Sequence, residues 1–287
     1  MIAPRLSRAV PGLAAVPLAA ILRNARDGIA ALVRAPRYVA PGGAGAAPSL
    51  VPALRRLGPQ IPFVLAVIVL AMASLDAPLA HVAATLPPWL VKTGLVVSDS
   101  GLSGWILVPC GAALVLMTLV PRSLDHMSRA VFAMVAVRIG FVFVAVGLPG
   151  LVGTIVKRWI GRVRPSAAGP FAYEPFSWRP AYASLPSGHA TTAFAALVAI
   201  GVLFPRLRPV LWAWAVAVAA SRVMVSAHYP SDVLAGAAFG ALGAVLVRDW
   251  FAVRRLGLHV GSDGAVRAMA GPGLRRMVRV ARRLIAN

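Results

Sequence analysis

The sequence predicts an all-α, polytopic membrane protein with six transmembrane helices. Three observations carry this reading: 59 % of the 287 residues are hydrophobic, only 13 % are charged, and the basic residues collect on alternate sides of the apolar stretches. A soluble globular domain carries charge on about a quarter of its residues, so ordinary soluble folds, disorder and soluble nucleic-acid binders all fit poorly. The formal charge of +21, from 29 Lys and Arg against 8 Asp and Glu, then reflects topology and contact with a lipid leaflet. Cys110 is the single cysteine, which excludes an internal disulfide and a cysteine-based metal site.

Residues 1–56 form a basic arm. Its stretch 10–22 follows two arginines and imitates the core of a signal peptide, but cleavage there would invert every later loop against the charge rule. From Leu18 onward, Leu22, Ala25, Ile29, Leu32 and Val33 recur at helical spacing opposite Arg23, Arg26 and Arg34, the pattern of an interfacial helix. Residues 38–52 are low in complexity and read as a linker. Six apolar stretches follow, at 57–75, 104–120, 130–156, 189–204, 209–225 and 232–247, each near the roughly 20 residues that a hydrocarbon core demands. Residues 76–103 are too polar, and too broken at Pro87 and Pro88, to span, and are expected as a helical hairpin on the outer surface. Residues 249–287 are a basic tail in which Leu274, Met277, Val278, Ala281 and Leu284 oppose Arg275, Arg276, Arg279, Arg282 and Arg283, the pattern either of an interfacial helix on the anionic inner leaflet or of a solvated basic tail.

With a cytoplasmic N-terminus, the inner segments hold most of the arginines, and the outer ones only Lys92, Lys157, Arg158, Arg162, Arg164, Arg179 and Arg222. The positive-inside bias therefore sets both termini in the cytoplasm, and the Ala- and Arg-rich composition with two lysines points to a bacterial inner membrane. Trp105 and Trp159 read as outer interface anchors and Trp250 as an inner one. Arg138 lies within the third span, where it is expected to snorkel inward or to pair with a carbonyl. His81 and His126 read as surface or interface residues, and Cys110 as a small buried apolar one.

The outer charges gather in three clusters: Lys157 to Pro165 after the third span, Leu185 to Ala190 opening the fourth, and Ser221 to Asp232 joining the fifth and sixth. Alternating spans bring all three to one membrane face. Arginine forks and a lysine point charge suit a phosphate, and Ser187 is placed as an N-cap, with the N–H groups of Gly188 and His189 at a helix N-terminus that favours an anion. His228 stands four residues before Asp232, so the carboxylate can fix the tautomer of a histidine nucleophile. His189 can protonate a leaving oxygen, while Lys157, Arg164 and Arg222 hold the phosphoryl oxygens. The outer face offers only Asp76, Asp99, Glu174 and Asp232 as carboxylates, fewer than a two-metal phosphatase collects, so no metal or other cofactor is expected. Arg158 and Arg162 are expected to meet lipid head groups or solvent. Residues 166–184, with Phe171, Tyr173, Glu174, Phe176, Trp178 and Arg179, are expected to close over the site and to choose among head groups.

These residues spell Lys157-x6-Arg164-Pro165, Pro186-Ser187-Gly188-His189 and Ser221-Arg222-x5-His228-x3-Asp232, and in this the chain resembles the type 2 phosphatidic acid phosphatase superfamily of integral membrane lipid phosphatases. The resemblance spans residues 57–248, which would form the six-span catalytic domain, and implies a metal-independent reaction. It implies His228 as the phosphohistidine-forming nucleophile, Asp232 as its partner and His189 as the acid, with Lys157, Arg164, Ser187, Gly188 and Arg222 as the phosphate clamp. The expected substrate is a lipid phosphate or pyrophosphate at the periplasmic face: undecaprenyl pyrophosphate, phosphatidic acid, phosphatidylglycerol phosphate or a lipid A phosphate. The alternative is a phosphotransferase that passes the same phosphoryl group to a hydroxyl acceptor. Anionic inner-leaflet lipids are the expected partners of the basic arms. No nucleic acid and no obligate protein partner is expected.

Overall fold

The computed structural model describes residues 54–55, 57–119, 126–271 and 273–286, with Ala19, Leu22, Arg23 and Arg26 of the arm. The helix expected from Leu18, apart from those four residues, and the linker at 38–52 lie outside the described residues. In order come α1 (Gln60–Ser74), α2 (Asp76–Ala84), α3 (Pro88–Asp99), α4 (Gly104–Thr118), α5 (His126–Ile160), α6 (Gly188–Leu203), α7 (Arg208–Met224) and α8 (Pro230–Val253). A hairpin, β1 (Leu258–Val260) and β2 (Val266–Ala268), and a last helix, α9 (Leu274–Ala286), complete the chain.

A helix forms within each expected apolar stretch. Among the described residues, four segments are long and apolar enough to cross a membrane: Pro88–Thr118, Met127–Ile160, Pro205–Met224 and Pro230–Val253. The pair α1 and α2, bent by 54°, makes a fifth if it counts as one span. The protein is thus a mostly helical, multi-pass membrane protein. Residues 76–103, expected as an outer-surface hairpin too polar to span, form the helices α2 and α3, but α2 belongs to the bent pair with α1, and α3 passes through a short turn into α4, the two making one apolar run of 31 residues long enough to cross.

Helix α6 is short, at 16 residues, because it is enclosed by protein. Ala190, Ala193, Ala195, Ala196 and Ala199 have no exposed surface, and α5, α7 and α8 surround the helix. On α8, Gly236 and Gly240 face it one turn apart, where a Cβ would collide with the main chain of Ser187 and of Thr191. Helices in lipid gain little from the hydrophobic effect and associate through such close backbone packing. The central cluster joins Phe141, Ala145 and Val146 of α5 to Ala195, Ala196 and Ala199 of α6 and Ala244, Val247 and Phe251 of α8. By contrast α1, α3 and α4 turn Phe63, Leu70, Val96 and Val108 outward, each exposed by two thirds or more, as a lipid-facing surface requires.

The tail departs from an all-α reading. Leu258 of β1 is buried in the central cluster, and Arg138 donates from Nη2 to the carbonyl of Met269 at 2.6 Å, the carbonyl pairing expected of a span arginine. A three-residue strand leaves too short a pattern for its period to be read. Helix α9 forms as expected, with Val280 buried and Arg275, Arg276, Arg279 and Arg282 exposed.

Candidate active site

The three signatures meet where the ends of four helices converge. Lys157 stands in the last turn of α5, Ser187 at the N-terminus of α6 and Arg222 at the end of α7. Asp232 lies in the first turn of α8. Backbone bonds lock the loops between them: Ser187 N–H donates to the Asp232 carbonyl (2.9 Å), Arg164 N–H to Ala181 (2.8 Å), Ser184 N–H to Arg162 (3.1 Å) and His228 N–H to Arg222 (3.2 Å). Gly161 takes φ +63, and any side chain there would strike the Glu174 carbonyl, so the first signature needs glycine to turn under its loop. Lys157 Nζ lies against Gly188, 3.3 Å from where a Cβ would stand. His189 lies within the fields of Arg222, His228, Lys157 and Arg164. All eight residues expected to form the site are brought together.

His228 and Asp232 are buried. His228 Nδ1 stands 3.8 Å from Asp232 Oδ2, too far for a direct hydrogen bond. Ser184 bridges the gap: its hydroxyl donates to Oδ2 at 2.5 Å and lies 3.4 Å from Nδ1. Oδ2 also accepts the Tyr229 N–H at 3.0 Å, which fixes the carboxylate on the first turn of its own helix. Burial pushes the His228 imidazole down to about 4, against the upward pull of Asp232, so at neutral pH the ring is uncharged and carries a free lone pair. Ser184 belongs to no signature, and only its place beside the second one could have drawn attention to it.

Facing His228 is a set of donors without protein acceptors. Ser187 Oγ, Arg164 Nε and Arg222 Nε are buried and have no hydrogen-bond partner among the described residues. Ser187 occupies the N-cap position as expected, yet its hydroxyl makes no capping bond. Its carbonyl accepts the Thr191 N–H at 3.0 Å, while the hydroxyl stays free. Each such group costs about 1–3 kcal/mol, and an anion with several acceptor oxygens would offset that cost. Arg222 Nη1 is held by Ser98 Oγ of α3, a contact outside every signature. Burial, and next the charge of Arg158, draw the Arg164 guanidinium below its ordinary pKa.

Two expectations are overturned. Arg162 does not meet lipid or solvent: it is fully buried and bonded to Asp232, Ser231 and Asp76. Arg158 donates to the carbonyl of Trp178 at 2.8 Å and stands 5.7 Å from its ring, so it fastens the 166–184 loop. Asp76 is wholly buried. That loop leaves Phe171, Phe176 and Trp178 exposed by two thirds or more. Trp105 and Trp159 are exposed as expected and His81 lies at the surface, whereas Cys110 is only partly buried. Among the described residues no three His, Cys, Asp or Glu side chains gather as a metal site.

A set of unsatisfied cations and helix-end donors beside an uncharged histidine and a carboxylate is an arrangement suited to an anion such as phosphate. Residues 138–256 match the PAP2 superfamily. The chain is 36 % identical over 179 residues to a lipid A 1-phosphatase of Rhizobium johnstonii, covering 61 % of this chain and 67 % of that one. It is 42 % identical over 127 residues to a lipid A 1-phosphatase of Rhizobium etli, covering 43 % of this chain and 55 % of that one. A crystal structure of a transmembrane PAP2 type phosphatidylglycerolphosphate phosphatase from Bacillus subtilis aligns with a TM-score of 0.45 at 23 % identity, over 64 % of this chain and 92 % of that one. The chain belongs to the PAP2 superfamily, and it is a membrane lipid phosphatase.

Proposed function

We propose that the protein removes the 1-phosphate of lipid A at the periplasmic face of a bacterial inner membrane, through a phosphohistidine on His228. The observation that carries the proposal is the trio of buried, unpartnered donors, Ser187 Oγ, Arg164 Nε and Arg222 Nε, of which the two arginines act on His228 and Ser187 is bonded to the Asp232 main chain. The names of the rhizobial relatives favour lipid A over the other lipid phosphates. His228 Nε2 attacks phosphorus as the bond to the lipid oxygen breaks, and His189 gives that oxygen its proton. Positive charge on the ring is met by Asp232 through Ser184. Water, deprotonated by His189, then attacks the phosphohistidine and frees inorganic phosphate with neutral His228. Lys157, Arg164, Arg222, Ser187 and the N-terminus of α6 at Gly188 hold the three equatorial oxygens, which supplies the electrostatic work without a metal.

The catalytic domain is assigned to residues 57–248, crossing six times through α1, α4, α5, α6, α7 and α8, with the short α6 sheltered inside. Both termini are assigned to the cytoplasm on the distribution of arginines, and the basic tail of α9 to anionic inner-leaflet lipid. The test is phosphate release by detergent-purified protein, in chelator, from lipid A, phosphatidic acid, phosphatidylglycerol phosphate and undecaprenyl pyrophosphate, with His228→Ala as blank. Release confined to lipid A is expected. Release from another class alone would overturn the substrate assignment, and activity that required added magnesium would overturn the metal-free chemistry.

A further inference from the structure

Beneath Asp232 lies a buried ionic layer that the reaction as described does not use. Arg162 donates from Nη1 to Asp232 Oδ1 and to Ser231 Oγ, each at 2.7 Å, and from Nη2 to Asp76 Oδ2 at 2.7 Å. Asp76, at the bend between α1 and α2, also accepts the Ser231 N–H at 2.9 Å and its hydroxyl at 2.5 Å. Arg162 Nε and Nη2 reach the Pro170 carbonyl at 3.1 and 3.0 Å, and the Tyr229 ring lies 4.5 Å from the guanidinium. All three ions are fully buried. Burying ions costs several kcal/mol each, and an apolar filling is often as stable. A triplet retained directly against a catalytic carboxylate is therefore better explained by what it does to that carboxylate.

We propose that Arg162 and Asp76 are positioning residues for the phosphatase reaction: Arg162 pins Oδ1 of Asp232 so that Oδ2 faces Ser184 and His228, and Asp76 cancels the arginine's charge. This rests on His228 as nucleophile. With Asp76 ionised the triplet carries one net negative charge, which supports the positive ring that forms as the N–P bond is made. Without Asp76 the Arg162–Asp232 pair is neutral as seen from His228, and that support weakens.

The two substitutions push the histidine in opposite directions. Around His228 stand Asp232 from α8, Arg222 from α7, His189 from α6 and Arg164 from its loop, with Lys157 of α5 beside His189. Asp76→Asn removes a negative charge behind this set, so the acid limb of kcat/KM moves to lower pH. Arg162→Gln removes a positive one, so the limb moves to higher pH; a shift of about half a unit is expected in each case. Asp76→Asn should also lower kcat about 10- to 100-fold with KM and the affinity for vanadate unchanged, and Asp76→Glu should restore part of the rate. Ser231→Ala, which loosens the layer without changing its charge, should leave the limb in place. If Asp76→Asn does not fold, Arg162→Lys carries the test: it keeps the charge without the fork, so a loss confined to kcat is expected, and an equal loss in vanadate affinity would overturn the proposal. Limbs that stay fixed or move together would also overturn it. Trapping of phosphate on His228 in the unmodified protein separates the outcomes: if it occurs and Asp76→Asn keeps full kcat, only the positioning role fails, and if it does not occur the nucleophile assignment itself falls.

Discussion

Arg162 and Arg164 sit in one loop, one residue apart from being neighbours, and live in opposite worlds. Arg162 spends its guanidinium on Asp232, Asp76, Ser231 and Pro170, and two carboxylates, working against burial, raise its pKa above the ordinary value. Arg164 keeps a buried Nε without an acceptor, beside Ser187 Oγ and Arg222 Nε in the same condition, and burial lowers its pKa. The saturated side of Asp232 holds a carboxylate in place, and the unsaturated side leaves donors open, which the proposed function fills with phosphate. Burial alone does not distinguish the two, since both sides are buried. Satisfaction of the donors does.

The largest expected break in this contrast is His228→Ala, which should lower phosphate release about 10⁴-fold or more, as removal of a nucleophile does elsewhere, while vanadate binding persists. Arg164→Ala comes next: loss of one transition-state donor should cost about 10²–10³ in kcat/KM and weaken vanadate, which separates it from Arg162→Gln, where binding is retained. Ser184→Ala should cost about tenfold in kcat at unchanged KM, because Asp232 then faces the ring across 3.8 Å without a bridge. In the pH profile His228 must be neutral to attack, and its folded-state value is depressed to about 4, so the acid limb of kcat/KM should lie towards pH 4, while the need for a protonated His189 sets a separate alkaline limb. An acid limb near 6.5 would show an imidazole that burial does not control. The smallest effect is expected from Trp178→Ala: the ring is 81 % exposed and touches Arg158, so a change of less than about threefold in kcat, with any larger effect confined to KM, should appear in steady-state kinetics with lipid A in mixed micelles.

Much of this was legible in the chain. The apolar stretch at 209–225 forms α7 to within a residue and that at 130–156 lies inside the longer α5, because a helix satisfies every backbone group of a long apolar run within the run itself. The eight expected site residues converge where the ends of α5, α6, α7 and α8 meet. What was not legible follows from distance and from spacing. Asp76 meets Arg162 and Ser231 across a sequence separation that no local period encodes, and Arg162 lies among the unspecified positions of its own signature. Ser184 is one of several serines in a polar loop, and its role exists only where that loop passes between His228 and Asp232. The hairpin at Leu258 and Val266 is three residues to a strand, so its alternation is too brief to separate from a turn.

The most direct test is an acid-free, denaturing quench of purified protein a few milliseconds after mixing with lipid A labelled at the 1-phosphate, followed by mapping of the label. The geometry predicts a base-stable, acid-labile phosphate on His228 that is absent from His228→Ala. Release of labelled phosphate at the normal rate with no label ever found on His228 would contradict it, and would hand the reaction to a water attacking the lipid phosphate directly.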